Sequence, residues 1–189
     1  MGRLILGIAL GTLLAIAGLG ALGWLRAPLV APTGARGVPA ATGPQAAVVE
    51  QALADAKKTG KAVPITLTFS ERDLTLAATA YFPQTISGAT LTDPQVRLGT
   101  GQIVLECAAA MSIFRTTAVV VATPLAGDGL VRVRIDSATV AGAAVPDSVR
   151  AGLAGELDQA IASGLPSGLA VHTVTVANKM LTVLGTASP

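Results

Sequence analysis

The chain has 189 residues, of which 51% are apolar and 13% are charged. This composition excludes a disordered protein, and the length leaves room for one ordinary domain with an accessory segment. The 13 Lys and Arg residues exceed the 11 Asp and Glu residues only because Arg3 and Arg26 flank the first apolar segment. The rest of the chain is balanced and offers no electrostatic field for nucleic acid.

The first 25 residues predict a membrane anchor. The segment from Leu4 to Leu25 carries no charge and would span about 33 Å as a helix, which matches a hydrocarbon core of about 30 Å. A cleaved signal peptide is the alternative, because Ala21-Leu22-Gly23 is an acceptable cleavage site. Both interpretations export the rest of the chain. We expect a single-pass protein of the cell membrane, with its N-terminus in the cytoplasm and its C-terminal domain extracytoplasmic.

Small residues repeat along this segment at spacings of four, four and three. They are Gly7, Gly11, Ala15 and Gly18. Such a stripe lets two membrane helices approach closely. It predicts that the anchor packs against a partner membrane helix.

Residues 26–46 predict a linker. The segment is rich in Pro, Gly and Ala and has neither the period of a helix nor that of a strand. We therefore expect a tether over these residues and a folded domain over residues 47–189.

The first part of the domain predicts two helices around one strand. Apolar positions repeat with helical spacing over residues 44–58, and Gly60 follows as a stop. Residues 63–69 alternate between apolar and polar side chains, which is typical of a half-buried strand. Ser70, with Asp73 three residues later, can cap a helix over residues 71–81.

Hairpins follow from residue 93 onwards. Glycine-containing turns at residues 99–101 and 127–129 separate alternating strands, a pattern that predicts an antiparallel sheet with one solvent-facing side. Ile103, Leu105 and Cys107 share one face of their strand. We therefore expect Cys107 to be a small core residue.

A long amphipathic helix and a last hairpin complete the domain. The helix starts after Val145-Pro146 and ends at Gly164 and Pro166, and a turn at Asn178-Lys179 joins the final strands. Its apolar stripe, at four-residue spacing, comprises Val149, Leu153, Leu157, Ile161 and Leu165. The order of elements predicts an α+β fold in which a long antiparallel sheet wraps or covers helices.

Reactive side chains are scarce. A single cysteine excludes an internal disulfide and a multi-thiolate zinc site, and the single histidine, His172, lies in a predicted strand rather than in a catalytic loop. Acidic residues are scattered singly, which does not suit calcium. We expect no enzyme, no cofactor and no metal ion, and hence a protein that acts by binding, assembly or spacing.

The order of turn and packing residues resembles a known family. The features that carry the resemblance are Pro124, Gly127-Asp128-Gly129-Leu130, the alternation from Val131 to Ile135, Gly142, Val145-Pro146, the amphipathic helix, residues 174–183, and Ser70 to Leu74 at a helix start. Over residues 63–186 the chain resembles the exported bacterial LmeA-type and YpmS-type families of lipid-binding domains. The resemblance implies a TULIP-like fold, a long curved sheet around a helix that holds an apolar groove, with phospholipid or another envelope lipid as ligand.

Apolar faces, rather than the resemblance, supply the candidate groove residues. They are Val149, Leu153, Leu157, Ile161, Val131, Val133, Ile135, Ile103 and Leu105. Such a lining can close on itself, or it can enclose an acyl chain with a gain of about 0.8 kcal/mol per methylene. We predict a membrane-anchored extracytoplasmic domain that binds a lipid or similar amphiphile. The alternative is an accessory single-pass subunit of a larger membrane complex.

Overall fold

The computed structural model describes residues 44–79, 84–86, 89–111, 114–164 and 166–189. The predicted anchor and the linker up to residue 43 lie outside these ranges, so the interpretation of Gly7, Gly11, Ala15 and Gly18 stays a prediction. None of the helices in the described ranges is long and apolar enough to cross a membrane.

Three helices lie in the described part of the chain, and all three were predicted. They are α1 (Pro44–Thr59), α2 (Glu71–Thr79) and α3 (Asp147–Gly164). The predicted cap of α2 is confirmed, because the Ser70 N–H donates to Asp73 Oδ2 at 2.9 Å and the Asp73 N–H donates to Ser70 Oγ at 3.2 Å. The Gly60 N–H donates to Ala56 O at 2.8 Å and ends α1 with a positive φ of 67°.

The strands of the described residues form two antiparallel sheets. A three-stranded sheet has the order β1-β9-β8, and a six-stranded sheet has the order β2-β3-β4-β5-β6-β7. The strands are β1 (Val63–Ser70), β2 (Gln84–Ile86), β3 (Ala89–Leu98), β4 (Ile103–Met111), β5 (Phe114–Gly127), β6 (Leu130–Val140), β7 (Ala143–Ala144), β8 (Leu169–Ala177) and β9 (Met180–Ala187). The predicted α+β class and the antiparallel pairing are confirmed.

The expectation of one long sheet is wrong. The first strand pairs with the last, with Leu67 opposite Val183, and this pairing builds a sheet of its own. α3 stands in the chain between the two sheets and interrupts the meander after β7. The two shortest strands, β2 and β7, were not predicted, because three and two residues are too few to show an alternation.

The predicted hairpins are confirmed. Two of them have two-residue turns, which the backbone conformation of the turn residues permits. Asp128 and Gly129, at the β5–β6 turn, both have positive φ, and so do Asn178 and Lys179 at the β8–β9 turn. Two successive residues with positive φ form the turn whose twist matches that of the flanking strands.

One apolar core joins the two sheets to the helices. Leu67 and Leu181 from the three-stranded sheet, Leu105 from the six-stranded sheet, Val49 from α1 and Leu157 from α3 belong to the same buried cluster. Cys107 is 1% exposed, in a smaller cluster with Leu91, Ala109 and Ala118, which confirms its prediction as a core residue.

Candidate functional site

Most of the predicted groove residues lie together in the core. Those buried in the main cluster are Ile103, Leu105, Val133, Ile135, Leu157 and Ile161, and Val131 packs against it half-buried. The side chains of Val149 and Leu153, on α3, are not among those described, and Leu165 lies outside the described residues. The apolar faces of β4, β6 and α3 therefore meet, as the alternation and the helical stripe predict.

The space between these faces is small. A cavity of about 30 Å³ lies among Ile103, Val131, Val133 and Ile161, with further lining from β1, β5, β8 and β9. Binding sites for drug-sized ligands occupy about 300–1,000 Å³. This cavity is therefore too small for an acyl chain.

Side chains of α3 hold it against the free edge of β6. The Val133 N–H donates to Asp158 Oδ1 at 2.8 Å, and Arg150 Nη1 donates to the main-chain carbonyl of Asp136. Asp158 also pairs with Arg132, with 3.5 Å between Nη1 and Oδ2. These side chains occupy main-chain groups that another strand would otherwise pair with, so α3 covers this edge of the six-stranded sheet.

α2 covers the opposite edge of the same sheet in the same way. The Leu98 N–H donates to Glu71 Oε1 at 2.8 Å, and the Val96 N–H donates to Thr75 Oγ1 at 3.0 Å. Both main-chain groups lie on β3, beyond the short stretch that pairs with β2. An acidic side chain and a second polar group thus replace a neighbouring strand at each edge.

An open concavity lies beside α2, which we call the α2–β3 groove. It has a volume of about 800 Å³. Its apolar side chains are Leu76 and the half-buried Val104, and its charged lining comes from Glu71, Arg72, Arg97 and Lys179. Val96 and Leu98 also border it, but their side chains are buried in the core. Leu76 is 60% exposed, the largest exposure among the described large apolar side chains. The groove therefore combines an uncovered apolar surface with charge at the same place.

The charge of the groove is positive. Three of the four charged lining residues are cations, and Glu71 is already occupied by the Leu98 N–H. Arg97 lies 3.9 Å from Glu106, a solvent-exposed pair of the kind that contributes little to stability. The arginine and lysine side chains can therefore contact an anionic group with several donors.

Lys179 reaches the groove from a strained position. It is the second residue of the β8–β9 turn and has a φ of 59°, where glycine is the residue with no steric penalty. The corresponding residue of the β5–β6 turn is Gly129. Backbone strain of this kind tends to occur at functional positions, and here it places a cation at the groove.

Two polar groups lie on the outer faces of the sheets. Burial opposes ionisation of Asp136, but hydrogen bonds from Thr123, Arg134 and Gln102 and the charge of Arg134 outweigh it and lower the pKa of Asp136. His172 lies in β8 with its Nε2 at 3.0 Å from Thr186 Oγ1. Neither arrangement brings together a nucleophile, a base and an anion-binding pocket.

Sequence reasoning missed the α2–β3 groove because its charges are far apart along the chain. Arg72, Arg97 and Lys179 belong to α2, β3 and the β8–β9 turn, and only the fold brings them together. Two signals were present in the sequence. One is a lysine at the second position of a tight turn, and the other is Leu76 in a short, mostly polar helix.

Comparison with known proteins gives no relative from which a function could be transferred. The chain matches no protein-family model, no curated protein and no solved structure.

Proposed function

We propose that this chain is a membrane-anchored extracytoplasmic domain without catalytic activity that binds an anionic lipid or similar amphiphile in the α2–β3 groove. The observation that carries the proposal is a concavity of about 800 Å³ in which apolar and cationic side chains occur together. Its volume lies in the range of ligand sites, whereas the interior cavity is far below that range.

The chemistry of the groove matches the two parts of an amphiphile. The apolar tail would lie along Leu76 and Val104 and gain about 0.8 kcal/mol for each methylene removed from water. A phosphate or carboxylate headgroup would accept hydrogen bonds from Arg72, Arg97 and Lys179. Because the groove is open on one side, part of the acyl chain of the ligand would remain in contact with solvent.

The proposal extends to the arrangement of the whole domain. We propose a TULIP-like architecture, with the antiparallel sheets around α3, and an anchor formed by the first 25 residues. Long strands and irregular register support the first part, since β5 has 14 residues and its pairing with β6 shifts between Val121 and Ala122. Such bulges bend strands and increase their twist. The length and apolar character of the first segment support the second part.

Native mass spectrometry of the full chain, released from a non-ionic detergent, tests the binding site. The protein is incubated with a short-chain phosphatidylglycerol below its micellar concentration, and separately with phosphatidylcholine of the same chain length. We expect one bound phosphatidylglycerol and about tenfold weaker binding of phosphatidylcholine, because the choline cation would be repelled by Arg72, Arg97 and Lys179 and would offset the attraction of the phosphate.

Matched substitutions locate the lipid. Leu76→Asp should reduce binding of phosphatidylglycerol at least tenfold, because it removes apolar lining and adds a negative charge. Leu125→Asp is the control, since Leu125 is another exposed leucine (42%) and does not line the groove. Equal lipid binding by both variants and the wild type would overturn the proposal for this groove.

The second candidate function is that of an accessory subunit of a membrane complex. The small size of the cavity between β4, β6 and α3 favours it, because about 30 Å³ is too little for a lipid chain. In that case Gly11→Ile should release the chain from its complex, since a large side chain prevents close helix packing. The same substitution should leave binding of phosphatidylglycerol unchanged if the groove binds it.

A further inference from the structure

The described chain covers the long edges of its sheets, with one exception. α2 and α3 cover the edges of β3 and β6, as described above. The edge of β8 is hydrogen-bonded to two turns of the other sheet: the Gly101 N–H donates to Val176 O at 2.9 Å, and the Val171 N–H of β8 donates to Gly129 O at 2.7 Å. The exception is β1, which pairs with β9 on one side and whose other side receives a side chain of α1 only at Thr68 among the described residues.

Two hydrogen bonds show which main-chain groups of β1 face away from β9. Gln45 Nε2 donates to Thr68 O at 2.9 Å, and the Ser70 N–H donates to Asp73 Oδ2. Since alternate residues of a strand direct their main-chain groups to the same side, Pro64 and Thr66 also face outward. Among the described residues, no partner accepts from or donates to the Pro64 carbonyl, the N–H and carbonyl of Thr66, or the Thr68 N–H.

We propose that a second copy of this chain pairs with this edge, β1 against β1, in an antiparallel arrangement about a two-fold axis at Thr66. The Thr66 N–H of each copy would donate to the Thr66 carbonyl of the other. The Thr68 N–H of each copy would donate to the Pro64 carbonyl of the other. These four hydrogen bonds use every unpartnered group on the outward side of β1, and a single three-stranded sheet becomes half of a continuous six-stranded sheet.

The position of Gln45 favours a second copy over an unrelated extended peptide. In the two-fold arrangement Thr68 lies opposite Pro64 of the other copy, and proline has no N–H to donate. The Thr68 carbonyl would then lack a donor, and this is the carbonyl that Gln45 already occupies. A peptide with an ordinary residue at that place would bring its own N–H, which Gln45 would obstruct.

The side chains of β1 do not oppose the pairing. Val63–Ser70 contains no charged residue, although exposed edge strands commonly carry lysine to prevent association. Thr66 is exposed, and across the two-fold axis its side chain would lie beside the same residue of the other copy. A charge placed at this position would therefore meet an identical charge.

Sedimentation velocity of the full chain in a non-ionic detergent tests the proposal. We expect the wild type to sediment as a dimer. Thr66→Lys and Thr66→Glu should each raise the dissociation constant of the dimer at least several-fold, because two like charges would lie directly opposite each other. A mixture of the two variants should restore the dimer as a heterodimer, because the opposed charges then attract.

A control and a second variant separate this edge from other contacts. Thr175→Lys places the same charge at an exposed position of β8 and should leave the dimer intact. Thr66→Pro removes the outward N–H without removing a bond to β9, and should weaken the dimer about tenfold through the loss of two hydrogen bonds. A monomeric wild type, or a dimer that persists unchanged in Thr66→Lys and Thr66→Pro, would overturn the proposal.

Discussion

At two edges of the six-stranded sheet, an acidic side chain of a helix accepts a hydrogen bond from a strand N–H, but the packing around the two helices differs. At the β6 edge an aspartate of α3 accepts a hydrogen bond from the Val133 N–H, and at the β3 edge a glutamate of α2 accepts one from the Leu98 N–H. α3 has 18 residues and buries Leu157 and Ile161, whereas α2 has nine and leaves Leu76 exposed. Apolar side chains of α3 are therefore packed into the core beside β6, whereas an open groove lies beside α2 and β3.

Charge separates the two edges as clearly as packing does. On the α3 side, Arg132 is paired with both Asp128 and Asp158. On the α2 side, Arg72 and Lys179 take part in no ion pair among the described residues. The comparison indicates that covering a sheet edge and leaving an open groove are independent: a helix side chain satisfies the strand in both cases, and the remaining side chains of the helix decide whether a groove is left beside it.

The largest difference should be seen when each helix loses a leucine. Leu157→Ala should lower the free energy of unfolding by about 3 kcal/mol, because Leu157 is 2% exposed and its removal leaves a cavity. Leu76→Ala should change it by less than about 0.5 kcal/mol. Urea denaturation followed by circular dichroism measures both values, and similar losses would break the comparison.

Removal of each acidic cap should have a smaller and still unequal effect. Asp158→Ala leaves the buried N–H of Val133 without a partner and should cost about 2 kcal/mol. Glu71→Ala should cost less than about 1 kcal/mol, because water in the open groove can replace the carboxylate. Asp158→Asn and Glu71→Gln, which retain an acceptor oxygen, are the controls. A larger loss at Glu71 would show that the groove is not accessible to water.

The turn that carries Lys179 should show a conflict between stability and binding. Lys179→Gly should raise the free energy of unfolding by about 0.5–1 kcal/mol, because it relieves the positive φ, and should weaken the binding of phosphatidylglycerol. Ala141→Gly relieves a φ of 54° in the β6–β7 turn, away from the groove, and should stabilise the protein without changing lipid binding. Equal effects of both substitutions on lipid binding would contradict a role for Lys179.

The carboxylate of Asp136, on the outer face of β6, should make the stability of the domain depend on pH. The lowered pKa of Asp136 means that its carboxylate stabilises the fold above the ordinary aspartate pKa of about 3.9, and that this stabilisation is lost as the pH falls through the lower folded value. The difference in unfolding free energy between the wild type and Asp136→Asn should therefore shrink from pH 6 to pH 2. A constant difference would show that the carboxylate is not favoured in the fold.

Local patterns were sufficient to predict most elements of the domain. The Gly127-Asp128-Gly129 turn, the start of α3 after Pro146 and the cap formed by Ser70 and Asp73 all depend on residues close in sequence, and each is confirmed. The pairing of β1 with β9 was not predicted, because an alternation identifies the buried face of a strand and says nothing about its neighbour. The expectation of one long sheet failed for this reason.

The site was less predictable than the fold. The apolar stripes correctly indicated which faces meet, but tight packing of leucine, valine and isoleucine has the same pattern as the wall of a groove. Glu71 and Asp158 resemble ordinary surface charges of helices, and only the structure shows that they accept hydrogen bonds from strand main chains.

The pairing of β1 with β9 determines when the domain can finish folding. Leu67 lies opposite Val183, so the first strand of the domain can pair only after the last strand has been synthesised. Contacts between residues so distant in sequence require closure of a long loop, and they slow folding. Until β9 is available, both sides of β1 can pair with other chains, and an incomplete chain is therefore exposed to aggregation for as long as its synthesis lasts.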